Sequence, residues 1–186
     1  QLSFAAGQTQ QTLRLFVKGD ARIEGDETLT ITLLDVQGLG SGLGTPAQAS
    51  VTVQDDDPKG EVTVRATTPA SVNEGNSGSV LHRFTLTRSG DVADSASMPW
   101  RISGDVNGAD FGGTLPSGTA SFAAGSATTT VEVITLGDTL FEADENLILV
   151  VTEGDRVKPA ASGASATVRL VNDDIPNEVS IRASNA

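Results

Sequence analysis

Acidic residues of this 186-residue chain gather in two short stretches towards its C-terminal end. The first stretch, between two apolar runs, contains Asp138, Glu142, Asp144 and Glu145, and the second, at the end of a later run, contains Asp173 and Asp174. Strand ends can meet at one end of a β-sandwich, so we expect the two stretches to lie together. Crowded carboxylates repel one another, and a hard divalent cation relieves that repulsion. Calcium, which accepts roughly six to eight oxygen ligands in flexible geometry, fits this pattern best.

Other metals and a metal-free surface are the alternatives. Magnesium prefers one or two carboxylates and keeps its waters, whereas zinc prefers nitrogen and sulfur ligands, which are scarce in a chain with one histidine and no cysteine. Acidic loops are also commonly plain solvated surface, with some aspartates capping turns. The spacing matches neither the EF-hand loop nor the calcium-binding nonapeptide repeat. A metal-free reading therefore stays open on the residues alone.

Composition excludes several classes of function. The chain has 12 basic and 24 acidic residues, and the net charge of −12 repels the phosphates of nucleic acids and anionic lipid surfaces. One histidine and no Gly-x-Ser-x-Gly motif give no basis for a hydrolytic triad, and no cysteine is present as a nucleophile. No apolar run is long enough to span a membrane. We predict that the chain is not an enzyme, binds no nucleic acid and does not insert into a membrane.

The acidic stretches belong to an internal repeat. The segment Ser3–Gly7 recurs as Ser121–Gly125, and 12 of the 31 paired positions that begin there are identical. After a variable stretch, the match resumes and includes Asp56 and Asp57 against Asp173 and Asp174. We therefore predict the later half of one module in residues 1–57, a complete module in residues 60–175, and the first strand of a following module in residues 178–186. A module as long as residues 60–175 is expected to be an autonomous domain rather than a solenoid repeat.

Each unit has the apolar pattern of β-strands. Apolar residues alternate with polar ones in segments such as Phe84–Thr87 and Ala166–Leu170, which Gly, Asn, Asp and Ser separate. The pattern predicts about seven short strands and an all-β fold, an antiparallel β-sandwich in tandem repeats. His82 lies in one predicted strand, where we expect an ordinary surface or edge position. The glycine-rich segment 38–47 is expected to form a hairpin loop.

Several motifs in combination resemble the Calx-beta domain. They are Ile134–Asn146 with Asn172–Asp174, the earlier copy Val17–Thr28 with Asp55–Asp57, the opening motif Ser71–Gly75 and the mid-domain motif Gly108–Phe111. The family is found in sodium–calcium exchangers, integrin beta-4 and many large extracellular bacterial proteins. The resemblance covers nearly the whole chain. It implies an immunoglobulin-like sandwich, and several members of the family bind calcium at one end.

The resemblance also implies the calcium ligands. In the complete module they are Glu74, Asp110, Asp138, the carbonyl of Leu140, Glu142, Glu145, Asp173 and Asp174. In the first half-module, where two counterparts are missing, they are Asp20, the carbonyl of Arg22, Glu24, Glu27, Asp56 and Asp57. Gly137 and Gly19 stand where the family's best calcium binders carry an acid, and Asn172 replaces the acid present as Asp55. We therefore expect fewer or weaker ions than in the richest members.

Three functions are consistent with this sequence. In the first, the chain is part of an extracellular or cell-surface array, structural or adhesive, in which calcium stiffens the junctions between neighbouring modules. In the second, the module senses calcium and signals to an attached domain. In the third, it is a metal-free spacer or protein-binding sandwich. The two incomplete end modules are expected either to fray or to associate with another copy through strand addition.

Overall fold

The computed structural model describes residues 1–38 and 42–182, and within these ranges the protein is all-β, as predicted. The strands are β1 (Glu27–Thr32), β2 (Gln48–Val53), β3 (Gly60–Ala66), β4 (Ser71–Asn73), β5 (Ser79–Arg88), β6 (Ala96–Gly104), β7 (Ser117–Phe122), β8 (Thr128–Leu136), β9 (Glu145–Val151), β10 (Val157–Pro159) and β11 (Ser165–Val171). A single turn of 3-10 helix, Ala109–Phe111, lies between β6 and β7. No helix in these ranges is long and apolar enough to cross a membrane.

Strands β3 to β11 form the two sheets of a sandwich, which confirms the predicted fold. One sheet has the order β10-β3-β5-β8 and the other β4-β11-β9-β6-β7. The pairings are antiparallel except for two short ones, β10 with β3 and β11 with β4, which are parallel. Between the sheets lie the fully buried Phe84, Leu86, Phe122, Leu147 and Leu149. Each such side chain stabilises the fold by roughly 1.5–3 kcal/mol.

The sandwich has nine strands where the sequence predicts about seven. Part of the difference arises near Pro69, because the chain leaves β3 there and continues as β4 in the opposite sheet. Proline has no N–H to donate to a ladder, which favours a break in strand pairing at Pro69. The other additional strand, β10, has only three residues, which is too short for apolar alternation to reveal.

The expectation for His82 is wrong. Its side chain is fully buried in β5, which lies inside the four-stranded sheet, and it faces the core together with Phe84 and Leu86. The Nε2 atom lies 2.9 Å from the hydroxyl of Thr135 on the neighbouring strand β8, so one ring nitrogen is hydrogen-bonded. Burial lowers the pKa of His82. Period-two alternation includes this position on the core face, but the polarity of histidine hides it.

The hairpin of β1 and β2 repeats the pairing of β9 and β11. Leu29 lies opposite Val51, and at the repeat-equivalent positions Leu147 lies opposite Val168. The second pair is fully buried, whereas Val51 is 55% exposed. The module boundaries at 1–57, 60–175 and 178–186 stay predictions. Positions 183–186 of the last segment and 39–41 of the predicted 38–47 loop lie outside the described residues.

Candidate metal centre

Three carboxylates from separate parts of the complete module converge at one end of the sandwich. Glu74 follows β4, Asp110 belongs to the 3-10 helix, and Glu142 lies in the loop between β8 and β9. Each offers an oxygen, and these oxygens lie within 4.8 Å of one another. Glu74 and Asp110 are buried, with 7% and 4% of their surface exposed. The strand ends thus bring together acids up to 68 residues apart in sequence.

The electrostatics of this end are unfavourable for the carboxylates alone. Burial and the nearby charges, first that of Glu142, raise the pKa of Glu74 to about 7. Burial and the charge of Asp110 raise the pKa of Glu145 to about 7 as well. The pKa of Glu142 is raised by burial and by Asp110, Asp138 and Asp174. A divalent cation placed among these groups would remove the repulsion that raises their pKa values.

Asp174 contributes a carboxylate oxygen that has no hydrogen-bond partner within residues 1–38 and 42–182. Its Oδ1 accepts a hydrogen bond from the side-chain amide of Asn76, whereas its Oδ2 is buried without a hydrogen bond from the described residues. A buried anionic oxygen without a donor is costly, and a cation satisfies it. The donor set is made of oxygen alone, which fits calcium rather than zinc.

Both carboxylate oxygens of Asp173 accept hydrogen bonds from the segment around the end of β4. Its Oδ1 accepts a hydrogen bond from the backbone N–H of Gly75 at 3.0 Å, and its Oδ2 one from Asn73 at 3.4 Å. These bonds fix the segment that leaves β4 and carries Glu74. Asp173 therefore orients Glu74, which is a predicted ligand.

Asp144 also has another partner. It pairs with the guanidinium of Arg169 on β11 and accepts a hydrogen bond from the backbone of Asn172 at 3.0 Å. The sequence shows no basic residue inside the acidic stretches, but the fold supplies one from a neighbouring strand. Arg169 neutralises Asp144 and not the buried group around Glu74.

The acids predicted in the first half-module line one surface cleft. The lining includes Asp20, Arg22, Glu24, Glu27, Asp56 and Asp57, which are all the predicted ligands of this copy, together with Asp55. Partial burial, followed by the charges of Asp55, Asp56 and Asp20, raises the pKa of Asp57. The cleft therefore shows the same kind of repulsion as the complete module, without the two ligands that the earlier strands would provide.

The two copies share the hydrogen bond that begins each acidic loop. Asp138 Oδ1 accepts from the backbone N–H of Leu140 at 2.7 Å, and Asp20 Oδ1 accepts from that of Arg22 at 3.0 Å. This turn bends the backbone around the aspartate. Leu140 and Arg22 are the positions whose carbonyls are the predicted ligands, and the turn fixes the peptide group that precedes each of them.

A second shared hydrogen bond links each acidic loop to the end of the last strand. Asp144 Oδ1 accepts from the N–H of Asn172, and Asp26 Oδ1 accepts from the N–H of Asp55 at 3.1 Å. Sequence reasoning did not give these two aspartates a separate role. Their recurrence at the repeat offset was the signal, because both copies retain the acid.

Asn172 makes the same backbone hydrogen bond in the complete module that Asp55 makes in the first copy. Asp55 Oδ1 accepts from the N–H of Asp57 at 3.2 Å, and Asn172 Oδ1 accepts from the N–H of Asp174 at 3.3 Å. An amide oxygen accepts this bond as well as a carboxylate oxygen does. The substitution thus preserves the strand end and removes one negative charge.

Gly137 leaves no room for the acid that the richest family members carry. A Cβ atom at this position would lie 2.0 Å from the carbonyl oxygen of Gly75, a distance that no real contact shows. Gly19, the equivalent residue of the first copy, has no atom within 4 Å of its Cβ position. The two glycines are therefore not equivalent. Only Gly19 could be replaced by a residue with a side chain without a shift of the backbone.

An ionic contact that the sequence did not predict joins the two copies. Arg22 donates to both oxygens of Asp94, and Arg156 Nη1 donates to Asp94 at 3.1 Å and to the carbonyl of Ile23 at 2.7 Å. The hydrogen bond from Arg22 lowers the pKa of Asp94. Residues separated by more than 60 positions thus connect the acidic loop of the first copy to the complete module. No repeat or motif marks Asp94, because its partner Arg22 comes from outside its own module and Arg156 lies 62 positions away in the sequence.

Comparison with known proteins gives a family match and a distant relative. The family model described as the Calx-beta domain matches residues 1–57 and 67–174. The chain is 30% identical over 187 residues to Adhesion G-protein coupled receptor V1 of Danio rerio, and the match covers 94% of this chain and 3% of that protein. The chain therefore corresponds to a small fraction of the length of this relative.

Solved structures include partial matches to this chain. CBD12 from CALX1.2 is 26% identical with a TM-score of 0.48, and the match covers 60% of this chain and 45% of that one. The calcium binding domain CBD12 of CALX1.1 is 26% identical with a TM-score of 0.47, and the match covers 60% of this chain and 44% of that one.

Proposed function

The chain belongs to the Calx-beta domain family, and from that premise we propose that it is a calcium-binding structural module of an extracellular or cell-surface array. Bound calcium stiffens the junction between neighbouring modules. The observation that carries the proposal is the buried, unpartnered Oδ2 of Asp174 at a centre where crowding raises the pKa values of two glutamates to about 7. Such a centre is stabilised by a cation and destabilised without one.

The proposed ligands of the complete module are those that the family resemblance implies. They are Glu74, Asp110, Asp138, the carbonyl of Leu140, Glu142, Glu145 and Asp174, with Asp173 as a ligand or as the group that orients Glu74. Calcium supplies positive charge and flexible oxygen coordination, and it carries out no reaction. The protein's part is to hold the loop between β8 and β9 against β4 and the 3-10 helix, so that the strand ends become one rigid unit.

Hydrogen bonds at the junction connect the acidic loop of the first copy, which is proposed to hold an ion, to the complete module. Asp20, a proposed ligand, holds the backbone of Arg22, and the side chain of Arg22 holds Asp94 of the complete module. At the other side of the junction, Lys59 donates to Glu153 at 2.7 Å and to the carbonyl of Gly154 at 2.9 Å. An ion that orders the loop from Asp20 to Glu24 therefore also fixes the arginine that crosses the junction.

Several features support placing the module outside the cell. The zebrafish relative is named as an adhesion receptor, and the acidity of this chain suits calcium-rich surroundings. An adhesive array needs modules that hold a fixed angle under load, which the calcium junction would provide. A binding module of this kind performs no catalysis.

Distance measurements across the junction test the stiffening. The chain has no cysteine, so Thr30→Cys and Thr130→Cys place two spin labels on exposed strand positions, one on each side of the junction. We expect the distribution of label distances to narrow when calcium replaces chelator, and to stay broad in the same protein with Arg22→Gln. Equal widths with calcium and with chelator would contradict the proposed function.

A further inference from the structure

Asn107 and Gly108 form the one Asn-Gly pair of the chain, in the loop that carries Asp110. Asn107 is exposed, and its Oδ1 accepts a hydrogen bond from the backbone N–H of Ala109 at 2.8 Å. We propose that Asn107 is a site of spontaneous covalent modification, at which the side-chain amide is lost and aspartate and isoaspartate form. Nothing in the calcium chemistry of the module requires an asparagine here.

The reaction needs only water and the chain itself. The amide nitrogen of Gly108 loses its proton to solvent base and forms a bond to Cγ of Asn107, which closes a five-membered ring. The bond from Cγ to Nδ2 then breaks, and the nitrogen leaves as ammonia after taking a proton from water. Water next opens the cyclic imide at one of its two carbonyls, giving aspartate or isoaspartate. The net change is addition of water and release of ammonia, with no oxidation, and the net charge moves from −12 to −13.

Two features of the loop favour ring closure. The N–H of Ala109 is directed at Oδ1 of Asn107, the atom on which negative charge develops when Gly108 attacks, so it acts as an oxyanion donor. The N–H of Gly108 donates no hydrogen bond to any residue in ranges 1–38 and 42–182, so no bond must break before it is deprotonated. Gly108 also has no side chain to obstruct the approach of its nitrogen.

The same loop determines the position of a buried acid. The N–H of Asn107 donates to Asp110 Oδ2 at 2.6 Å, and the carbonyl of Gly108 accepts from Gly113 at 2.7 Å. A Cβ atom on Gly108 would lie 2.0 Å from the carbonyl oxygen of Gly113, so this backbone has no spare room. Isoaspartate inserts a methylene into the main chain between residues 107 and 108, and the inserted atom must displace Asp110. Ordinary aspartate leaves the backbone path unchanged.

The loss of function therefore depends on which isomer forms. Resting on the proposed function, we expect the isoaspartyl chain to bind calcium more weakly in the complete module, because Asp110 is one of its two most buried acids. The aspartyl chain should keep the site. Conversion of Asn107 to isoaspartate would act as an ageing step that disables this module.

Peptide mapping by mass spectrometry tests the modification directly. The native chain is incubated in mildly alkaline buffer, and the gain of about one mass unit is followed at each asparagine. We expect Asn107 to convert several-fold faster than Asn76 and Asn146 in the same molecule, and fragmentation to show both isomers. The Asn107→Gln chain, which would have to close a six-membered ring, should show no comparable conversion at that position. Conversion at Asn107 no faster than at Asn76 would overturn the proposal.

Calcium titration of the separated forms tests the consequence. The isoaspartyl form should lose affinity as Asp110→Asn does, whereas Asn107→Asp should bind as the unmodified chain does. Equal binding by the isoaspartyl form and the unmodified chain would overturn the link to Asp110. If the unmodified chain itself bound no calcium, the proposed function would fail while the conversion measured by mass stood, so the two failures are distinguishable.

Discussion

The guanidinium of Arg22 donates two hydrogen bonds to the carboxylate of Asp94, from Nε at 2.9 Å and from Nη2 at 3.0 Å. Arg22 belongs to the acidic loop of the first copy, and Asp94 belongs to the loop between β5 and β6 of the complete module. The paired geometry fixes orientation as well as distance, which a single lysine contact would not do. This contact makes the relative position of two modules depend on the loop that is proposed to hold an ion.

Replacing Asp94 should loosen the junction without unfolding the module. In Asp94→Asn, one of the two acceptor oxygens becomes a donor, so Arg22 and Arg156 both lose their charge-assisted bond. We expect broader label distances across the junction, in calcium as in chelator, with little change in the melting temperature of the complete module. Arg83→Gln, which removes an exposed pair with Glu132 on β5 and β8, is the matched control and should leave the distances unchanged. Equal effects of the two variants would show that the junction contact has no special role.

Asp144 should matter for stability and little for calcium. Asp144→Ala removes the acceptor of the Asn172 N–H and the partner of Arg169, and should lower the free energy of unfolding by about 1 kcal/mol. Asp144→Asn keeps an acceptor oxygen and should lower it less. Chemical denaturation and calcium titration of both variants check this. A loss of calcium affinity in Asp144→Asn as large as that in Asp138→Asn would contradict the structural role.

The two glycines at equivalent positions should respond oppositely to an added acid. Gly137→Asp places Cβ against the carbonyl of Gly75 and should destabilise the complete module, with no gain in calcium affinity. Gly19→Asp meets no atom within 4 Å and should leave stability unchanged while it strengthens calcium binding in the first copy. Melting temperatures with calcium and with chelator distinguish the two variants. A stable Gly137→Asp chain with tighter calcium binding would contradict this prediction, because the backbone near Gly75 would then have moved to admit the side chain.

The calcium-free chain should lose stability as the pH rises from about 4.5 to about 7. Glu74 and Glu145 have pKa values of about 7 in the folded chain, against 4.5 without burial and neighbours, so they ionise more easily when unfolded. The two glutamates therefore stabilise the folded state fully below about pH 4.5, and this contribution is lost as the pH rises from about 4.5 to about 7. His82, whose pKa is lowered by burial, acts in the opposite direction below about pH 6.5, because there the unfolded histidine gains a proton that the buried one takes up less readily. Melting curves in chelator should show the fall, and calcium or Glu74→Gln should reduce it. A flat profile in chelator would contradict the crowding at this site.

The sandwich could be predicted from the sequence because period-two alternation and the internal repeat are local and redundant signals. The acids of the metal centre could be predicted through motifs that recur in both copies. Other features depend on contacts between distant segments, which no local pattern encodes. Asp94 contacts Arg22 only because two modules pack together. Gly137 has no space for a side chain only because the segment that follows β4, at Gly75, passes close to it. His82 was misplaced because its polarity outweighed its position in the alternation.

Calcium titration by calorimetry tests the central claim most directly. The unmodified chain should bind calcium with a dissociation constant of roughly 10⁻⁴–10⁻³ M, the range of extracellular modules, whereas roughly 10⁻⁷–10⁻⁵ M would indicate the sensor function instead. Asp174→Asn should weaken binding by about tenfold or more, because it removes the charge on the buried, unpartnered oxygen. Glu132→Gln, on the outer face of β8, is the control and should bind as the unmodified chain does. Absence of calcium binding, or equal affinities for all three proteins, would contradict the account and leave a metal-free spacer.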